Sequence, residues 1–414
     1  MSDSAAKARR RPAGRTGHPG KRPAGAAPRA RRLRVTYILE ATEGGKRRHL
    51  LDLLRHIDRS RFEPSLLFSA RRDPAFRDDV QDLQQAAVRC IDVPMVRAVR
   101  PWADLRAWRG LVRHLRKLQP DLVHTHSSKA GMIGRAAARR GGVAAVVHTP
   151  HGFPFTMDVS PARRALYRVL ERRAAGWSNA IVCVSREEAR LARTCGIAAG
   201  DALRLIPNGV DPAGPGIDPA RRDTLRRELG AGPRCCLVGA VGRLSRQKGF
   251  DVLLRAVHRL QADRADLRCV VIGDGEDRPA LEALQRELGL RRHVQFLGQR
   301  SDAQALTAAC DILAAPSRWE GLPYAVLDAM ACGVPVAAGR VGGIVDAVAD
   351  GETGLLVARD DPSGLADALA RLAGDRELRK RLGQAAARRI RDAFPLERMV
   401  QQIEALYEEL AGPG

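Results

Sequence analysis

Two carboxylates eight residues apart, Glu320 and Asp328, stand in the stretch DILAAPSRWEGLPYAVLDAMACGVPV (311–336). The apolar runs ILAAP and VPVAA read as buried parallel strands with a polar loop and a helix between them. Pro323 suits the first turn of that helix, where a missing N–H costs nothing. Gly333 suits the left-handed position just past its end. Glu320 is thereby placed at the carboxyl edge of a strand, where open α/β sheets take ligands and where a helix N-terminus offers N–H groups to an anion. Asp328 falls in the second helical turn. Carboxylates at such an edge accept hydrogen bonds from sugar or ribose hydroxyls. Taken alone, Glu320 could equally be a carboxylate interacting with the helix dipole.

A second group of residues can hold an anion. Arg243 and Lys248 lie five apart in GRLSRQKGF (242–250), between the apolar run CCLVGAV and a helix expected from about 250. Two cations at a strand end beside a helix N-terminus make a diphosphate clamp. A solvated basic loop is the alternative, and Arg246 between them is read as solvent-facing. In the first half, His151 follows an apolar strand in VVHTPHGF (146–153), with Gly152 allowing a sharp turn. His124 and His126, two apart, share one face of DLVHTH. They are read equally as hydrogen-bonded strand-end residues and as site residues. His126, and Lys129 at the start of the next helix, are further candidate site residues at this strand end. Gly44-Gly45 follows the first strand; the spacing is not the dinucleotide fingerprint, and a tight turn would explain it locally. No Cys/His cluster has metal-ligand spacing, and no metal is expected.

The elements that must position these residues alternate along the chain. Strands read at LRVTYIL (33–39), SLLFS (65–69), 88–93, DLVHTH (121–126), AAVVHT, AIVCV (180–184) and LRLIP are separated by helical stretches near 75–87, 102–118, 161–175 and after Ser185. The pattern resumes with CCLVGAV, LRCVVIG (267–273), HVQFLG (293–298), ILAAP and TGLLV (353–357), after GGIVDAV at 342–348. Helices near 362–373, 375–391 and 395–410 finish the chain. Such alternation argues parallel, doubly wound sheets, and 414 residues suggest two or three domains. The eight cysteines form no C-x-x-C pair and read as reduced thiols. No run approaches a membrane span, and the N-terminus has no apolar signal-type stretch.

The stretch around Glu320 resembles the E-x7-E region of the retaining glycosyltransferases of family 4, with Asp328 where the family has Glu. IPNGVD (206–211), GRLSRQKG and HTPHGF extend the resemblance over about 33–411. It implies the GT-B fold: α/β, two Rossmann-like domains facing across a cleft. The first would span 33–210, the second 211–394, and helix 395–411 would cross back to the first. Glu320 and His151 would then be catalytic. Arg243, Lys248, Asp328, Gly321, Leu322, Gly44 and Gly45 would bind the donor, with Asp328 on the ribose. The implied activity is transfer of a hexose, with retention and without metal or cofactor, from a nucleoside diphosphate sugar, uridine favoured over guanosine. The acceptor would be a cell-surface glycan or a polyprenyl-linked saccharide, with His126 and Lys129 as the candidates on the acceptor side. A GT-B epimerase or phosphorylase, or a binding-only relative, would share the architecture.

Charge adds a partner. The net +23 is uneven: residues 1–32 carry 10 basic against 1 acidic side chain, residues 33–210 carry 31 against 17, and residues 211–414 carry 29 of each. Residues 1–32 read as a disordered basic tail. No helix-turn-helix, zinc-finger or RNP pattern accompanies the charge, so a nucleic acid is not the expected partner. In helix 102–118, Leu105, Trp108, Leu111, Val112, Leu115 and Leu118 share one face. Arg106, Arg109, Arg113, Arg116, Lys117 and Trp102 share another. That face suits an anionic membrane surface, which points to a cytoplasmic protein held peripherally at the inner face of the plasma membrane.

Overall fold

The computed structural model describes residues 31–412 other than 72, 97, 263 and 265. The expected basic tail lies, but for its last two residues, outside the described residues. Two parallel sheets are present. The first comprises β1 (Leu33–Leu39), β2 (Phe62–Phe68), β3 (Arg89–Asp92), β4 (Leu122–His126), β5 (Ala145–Thr149), β6 (Ala180–Cys183) and β7 (Leu203–Leu205), in the order β3-β2-β1-β4-β5-β6-β7. The second comprises β8 (Cys236–Val241), β9 (Leu267–Ile272), β10 (Val294–Gly298), β11 (Ile312–Ala315), β12 (Val336–Gly339) and β13 (Gly354–Val357), in the order β10-β9-β8-β11-β12-β13. Every pairing between these strands is parallel, and helices cover the sheets. This is the doubly wound, two-domain GT-B architecture.

Strand order reverses between β1 and β4 in the first sheet and between β8 and β11 in the second. At such a switch point the loops leave in opposite directions and open a crevice at the carboxyl edge. The loops after β1 and β4 carry Gly44-Gly45 and, at the strand's last position, His126. Those after β8 and β11 carry Arg243 to Lys248 and Pro316 to Pro323. Both crevices are thus furnished by the segments that the sequence singles out.

The chain crosses between the sheets at two adjoining places. Val210 N donates to Phe394 O (3.0 Å), and Leu396 N donates to Val210 O (3.0 Å). The terminal helix Leu396–Ala411 then packs on the first sheet, with Met399, Ile403, Leu406 and Tyr407 in one core with Val35, Tyr37, Leu50 and Leu53. Burying these side chains is worth about 1.5–3 kcal/mol each, which ties the last helix to a sheet formed some 300 residues earlier.

Some elements depart from the sequence reading. β2 begins at Phe62 rather than residue 65, because Glu63 and Pro64 interrupt the apolar run without interrupting the pairing of Leu33 with Phe62. GGIVDAV holds a single helical turn, Ile344–Ala347, and the helix Ala303–Ala309 has too weak a periodicity to be read at all. No helix among the described residues is long and apolar enough to cross a membrane.

Candidate active site

Glu320 is held at the mouth of the second crevice by three donors. Lys248 Nζ is 2.6 Å from Oε1, Ser317 Oγ donates to the same oxygen at 2.8 Å, and Gln247 Nε2 reaches Oε2 at 3.3 Å. The turn that presents it is fixed from behind by glycines. A Cβ on Gly342 would stand 2.0 Å from Glu320 O, and one on Gly343 would stand 1.7 Å from Gly321 O. Any other residue at either position would push the loop out of place. The pair at 342–343 lies in a stretch the sequence reading assigned no part in the site, and its adjoining glycines were the signal available.

Across the cleft is the turn of His151. Its φ of 53° is in the left-handed region, followed by Gly152 at 97°. Two backbone donors converge on one carboxylate to hold this turn: Gly152 N on Glu188 Oε1 (2.5 Å) and Val184 N on Glu188 Oε2 (2.7 Å). Glu188 is buried, begins its helix against the Ser185 N-cap (3.1 Å), and has its carboxyl pushed up to about 7 by burial, against the pull of the two N–H groups and the Lys46 charge. The sequence places a helix after Ser185, but nothing in it singles out Glu188. A Cβ on Gly321 would lie 3.4 Å from Val184 Cγ2 and 3.7 Å from His151 C, so the Glu320 loop and the His151 turn lie side by side with no room to spare beyond a methyl group.

Beneath the turn, His151 Nε2 is 3.2 Å from His126 Nδ1, and the His49 ring meets the His151 ring edge-on with centroids 4.6 Å apart. His126 and His49 are fully buried. His126 therefore supports His151 from below rather than facing an acceptor, because the end of central strand β4 is roofed by the turn. Burial foremost, then the neighbouring imidazoles, holds the His126 and His151 rings well below the usual histidine range, and burial pushes His49 down to about 4 against its bond to Asn208. His124 is a core residue, bonded to Tyr407 Oη (2.6 Å) and Thr149 Oγ1 (2.8 Å). The three rings of His49, His126 and His151 form a cluster of ligand-capable nitrogens within 4.8 Å of one another, contrary to the expectation from spacing. Folding brings together residues of three separate segments, which no linear motif records.

Other residues stand apart from this centre. Lys129 is tied to Asp104 (2.6 Å) and to Ala98 O (3.0 Å), away from the histidines, because both partners lie at the start of the neighbouring helix Pro101–Leu118 or just before it. Leu322 has its side chain in the core, leaving its backbone for any ligand; its carbonyl accepts from Asn208 Nδ2 (2.8 Å). Gly44 and Gly45 open the helix Gly44–His56 instead of staying in the loop, and a Cβ on Gly45 would meet the Tyr324 ring at 3.3 Å. Arg243 lies between Glu276 (2.9 Å) and Glu43 of the first domain (3.4 Å). Arg246 is 70% exposed, as read, but also pairs with Asp158 across the cleft (2.7 Å). Asp328 faces Arg48 at 2.5 Å and Gln304 at 3.1 Å; burial raises its carboxyl pKa, and Arg48 and Gln304 offset that only in part.

Residues 43–213 match the family described as Glycosyltransferase Family 4, and residues 221–389 match Glycosyl transferases group 1. The chain is 30% identical over 335 residues to the Escherichia coli UDP-Gal:alpha-D-GlcNAc-diphosphoundecaprenol alpha-1,3-galactosyltransferase, covering 80% of this chain and 86% of that one. It is 36% identical over 314 residues to the D-inositol 3-phosphate glycosyltransferase of Salinispora arenicola, covering 70% and 68%. Among solved structures, Anabaena Alr3699/HepE in complex with UDP and glucose superposes with a TM-score of 0.78 at 22% identity, covering 91% of this chain and all (100%) of that one. With both halves matched in order and the GT-B fold in place, the chain belongs to the family 4, group 1 glycosyltransferases.

Proposed function

We propose that this glycosyltransferase is a retaining, metal-independent and cofactor-independent hexosyltransferase that takes its sugar from a UDP-sugar and delivers it to a polyprenyl-linked saccharide or a cell-surface glycan. The observation that carries this reading is the close approach of two strand-end loops: Lys248 and Glu320 at the switch point of the second sheet, and the His151 turn after β5 of the first. Arg243 and Lys248 hold the diphosphate and stabilise the charge that develops on the leaving group. Glu320 accepts from donor-sugar hydroxyls, with the backbone of Gly321 and Leu322 beside it. Asp328 takes the ribose, Gly44-Gly45 lines the cleft opposite, and His151 contacts the sugar near its reacting carbon. The bond from that carbon to the diphosphate oxygen breaks while the acceptor oxygen bonds to the same face. The acceptor proton passes to the departing phosphate oxygen. Closure of the cleft keeps water from competing as the acceptor.

Both the donor and the acceptor class are supported by the Escherichia coli relative, which moves galactose from UDP-Gal to a diphosphoundecaprenol-linked sugar. An anionic membrane surface is the second partner. Among the described residues, Val99 and Trp102 are 81% and 84% exposed beside Arg106, Arg109 and Arg113, and helix Pro161–Ala175 exposes Leu166 and Val169 among Arg163, Arg168 and Arg172. Apolar tips among arginines fit a headgroup layer at the inner face of the plasma membrane. A nucleic acid is not proposed. The test is transfer from labelled UDP-sugars and GDP-sugars to a polyprenyl-diphosphate-linked saccharide and, in a parallel arm, to inositol 3-phosphate, with a chelator present. The expected result is transfer from a UDP-sugar to the lipid-linked acceptor, with the product's anomeric configuration, read by NMR, matching the donor's. An inverted anomer, loss of turnover in the chelator, or transfer to inositol 3-phosphate alone would overturn the reading.

A further inference from the structure

We propose that His49, His126 and His151 form a site for one zinc-class divalent ion, and that its occupation blocks sugar transfer. The nitrogens are arranged for it. His126 Nδ1 and His151 Nε2 stand 3.2 Å apart, close to the ~3.4 Å edge of a tetrahedron whose metal–nitrogen bonds are about 2.0–2.1 Å. One ring nitrogen from each of His49, His126 and His151 lies within 4.8 Å of the others. His49 is already oriented as metal-bound histidines are. Asn208 Nδ2 donates to Leu322 O, so its Oδ1 is the acceptor for His49 Nδ1–H at 3.0 Å. That fixes the tautomer and leaves His49 Nε2 with a bare lone pair, buried and without a hydrogen-bond partner. Such a nitrogen costs free energy unless something accepts its lone pair. Neutral imidazoles are the form that binds a metal, and three of them with one open position suit Zn²⁺, Co²⁺ or Ni²⁺ rather than Mg²⁺ or Ca²⁺.

Access and consequence follow from burial. His49 and His126 are inaccessible, while His151 is partly exposed to the cleft, so an ion enters past His151 and keeps its fourth position toward the cleft. The positive charge of Lys46, which acts on His151, opposes the ion and limits affinity. An ion on His151 locks the ring that the proposed reaction sets against the sugar, so inhibition rests on the reading of His151 above; binding does not.

Binding is therefore measured without substrate, by titrating Co²⁺ into the metal-stripped full chain. One equivalent should give the visible absorption of four-coordinate Co²⁺ without the sulfur charge-transfer band that any of the eight cysteines would add. His49→Ala, His126→Ala and His151→Ala should each abolish it. Asn208→Ala should weaken it about 10–100-fold, and Lys46→Met should strengthen it. The zinc K-edge spectrum of the loaded wild-type chain, which depends on no variant folding, should show imidazole nitrogens and no sulfur. Absence of the four-coordinate spectrum, its survival in all three alanine variants, or sulfur at the zinc edge would overturn the site. Zn²⁺ should inhibit transfer reversibly; full turnover with the zinc edge showing the triad loaded would overturn the block.

Discussion

Arg48 and Asp328 join the two domains across the cleft at 2.5 Å, and the guanidinium lies 4.7 Å from the centroid of the Tyr324 ring, which a Cβ on Gly45 would meet at 3.3 Å. Burial disfavours the charge on Arg48, but the Asp328 charge and hydrogen bond more than offset it, and its pKa is raised. The carboxylate proposed to take a ribose is therefore already engaged by a cation from the other domain. A nucleotide must exchange with Arg48 or share the carboxylate with it.

This gives opposite expectations for the two partners. Asp328→Ala removes a hydrogen bond to a charged group, worth ~1.5–3 kcal/mol, so UDP binding should weaken roughly 10–100-fold in calorimetry. Arg48→Met releases Asp328 and should not weaken UDP binding, while lowering the melting temperature through the lost bridge. Unchanged UDP affinity in Asp328→Ala would show that the carboxylate serves only the domain contact.

For the clamp, Arg243→Ala and Lys248→Ala should each reduce donor affinity or transfer roughly 10–100-fold by the same estimate. Arg246 is mostly exposed and its pair with Asp158 is of the weak surface kind, so Arg246→Ala should change transfer by less than about fivefold. Equal losses in all three variants would refute the assignment of the diphosphate to Arg243 and Lys248.

Glu320→Gln keeps the size of the side chain and removes the charge that Lys248 and Ser317 hold. Transfer should collapse by at least about two orders of magnitude, with little change in melting temperature, if sugar hydroxyls lean on the carboxylate in the transition state. Activity near wild type would reduce Glu320 to a loop anchor.

Glu188 positions His151 through the backbone, and its titration gives a pH signature. Its folded pKa of about 7 is above the unfolded carboxyl value, so it stabilises most below about pH 4.3 and loses that contribution as pH rises toward 7. The charge of Lys46, on the helix Gly44–His56, moderates the effect. Glu188→Gln should flatten this part of the stability–pH curve in denaturant titrations. It also turns a donor toward one of the two N–H groups, so kcat should fall while donor KM changes little. A wild-type kcat would mean that the His151 turn holds without it.

Membrane docking should be electrostatic. The chain should sediment with anionic but not neutral vesicles at low salt, and release as the screening length falls to ~3 Å at 1 M. Trp102→Ala should weaken this binding. Absence of sedimentation once residues 1–32 are removed would assign the attachment to the basic tail and not to the folded surface.

The β/α alternation, the strand-end placement of Glu320, Lys248 and His151, and the family itself were legible in the sequence, because each is written in local periodicity, turn residues and motifs a few residues long. So was the helix after Ser185 that carries Glu188. The partners of these residues were not. Arg48 and Asp328 are separated by 280 positions, His49 and Asn208 by 159, and Gly152 and Glu188 by 36, with no shared motif. An Arg in an amphipathic helix or a Glu in a first helical turn has an ordinary local explanation, and local pattern cannot say which distant group will meet it. That choice was made by the switch points of two sheets and by the packing that closes one over the other. There, burial strips the water from His49, His126 and His151 together and leaves a bare nitrogen where the sequence shows only separate histidines.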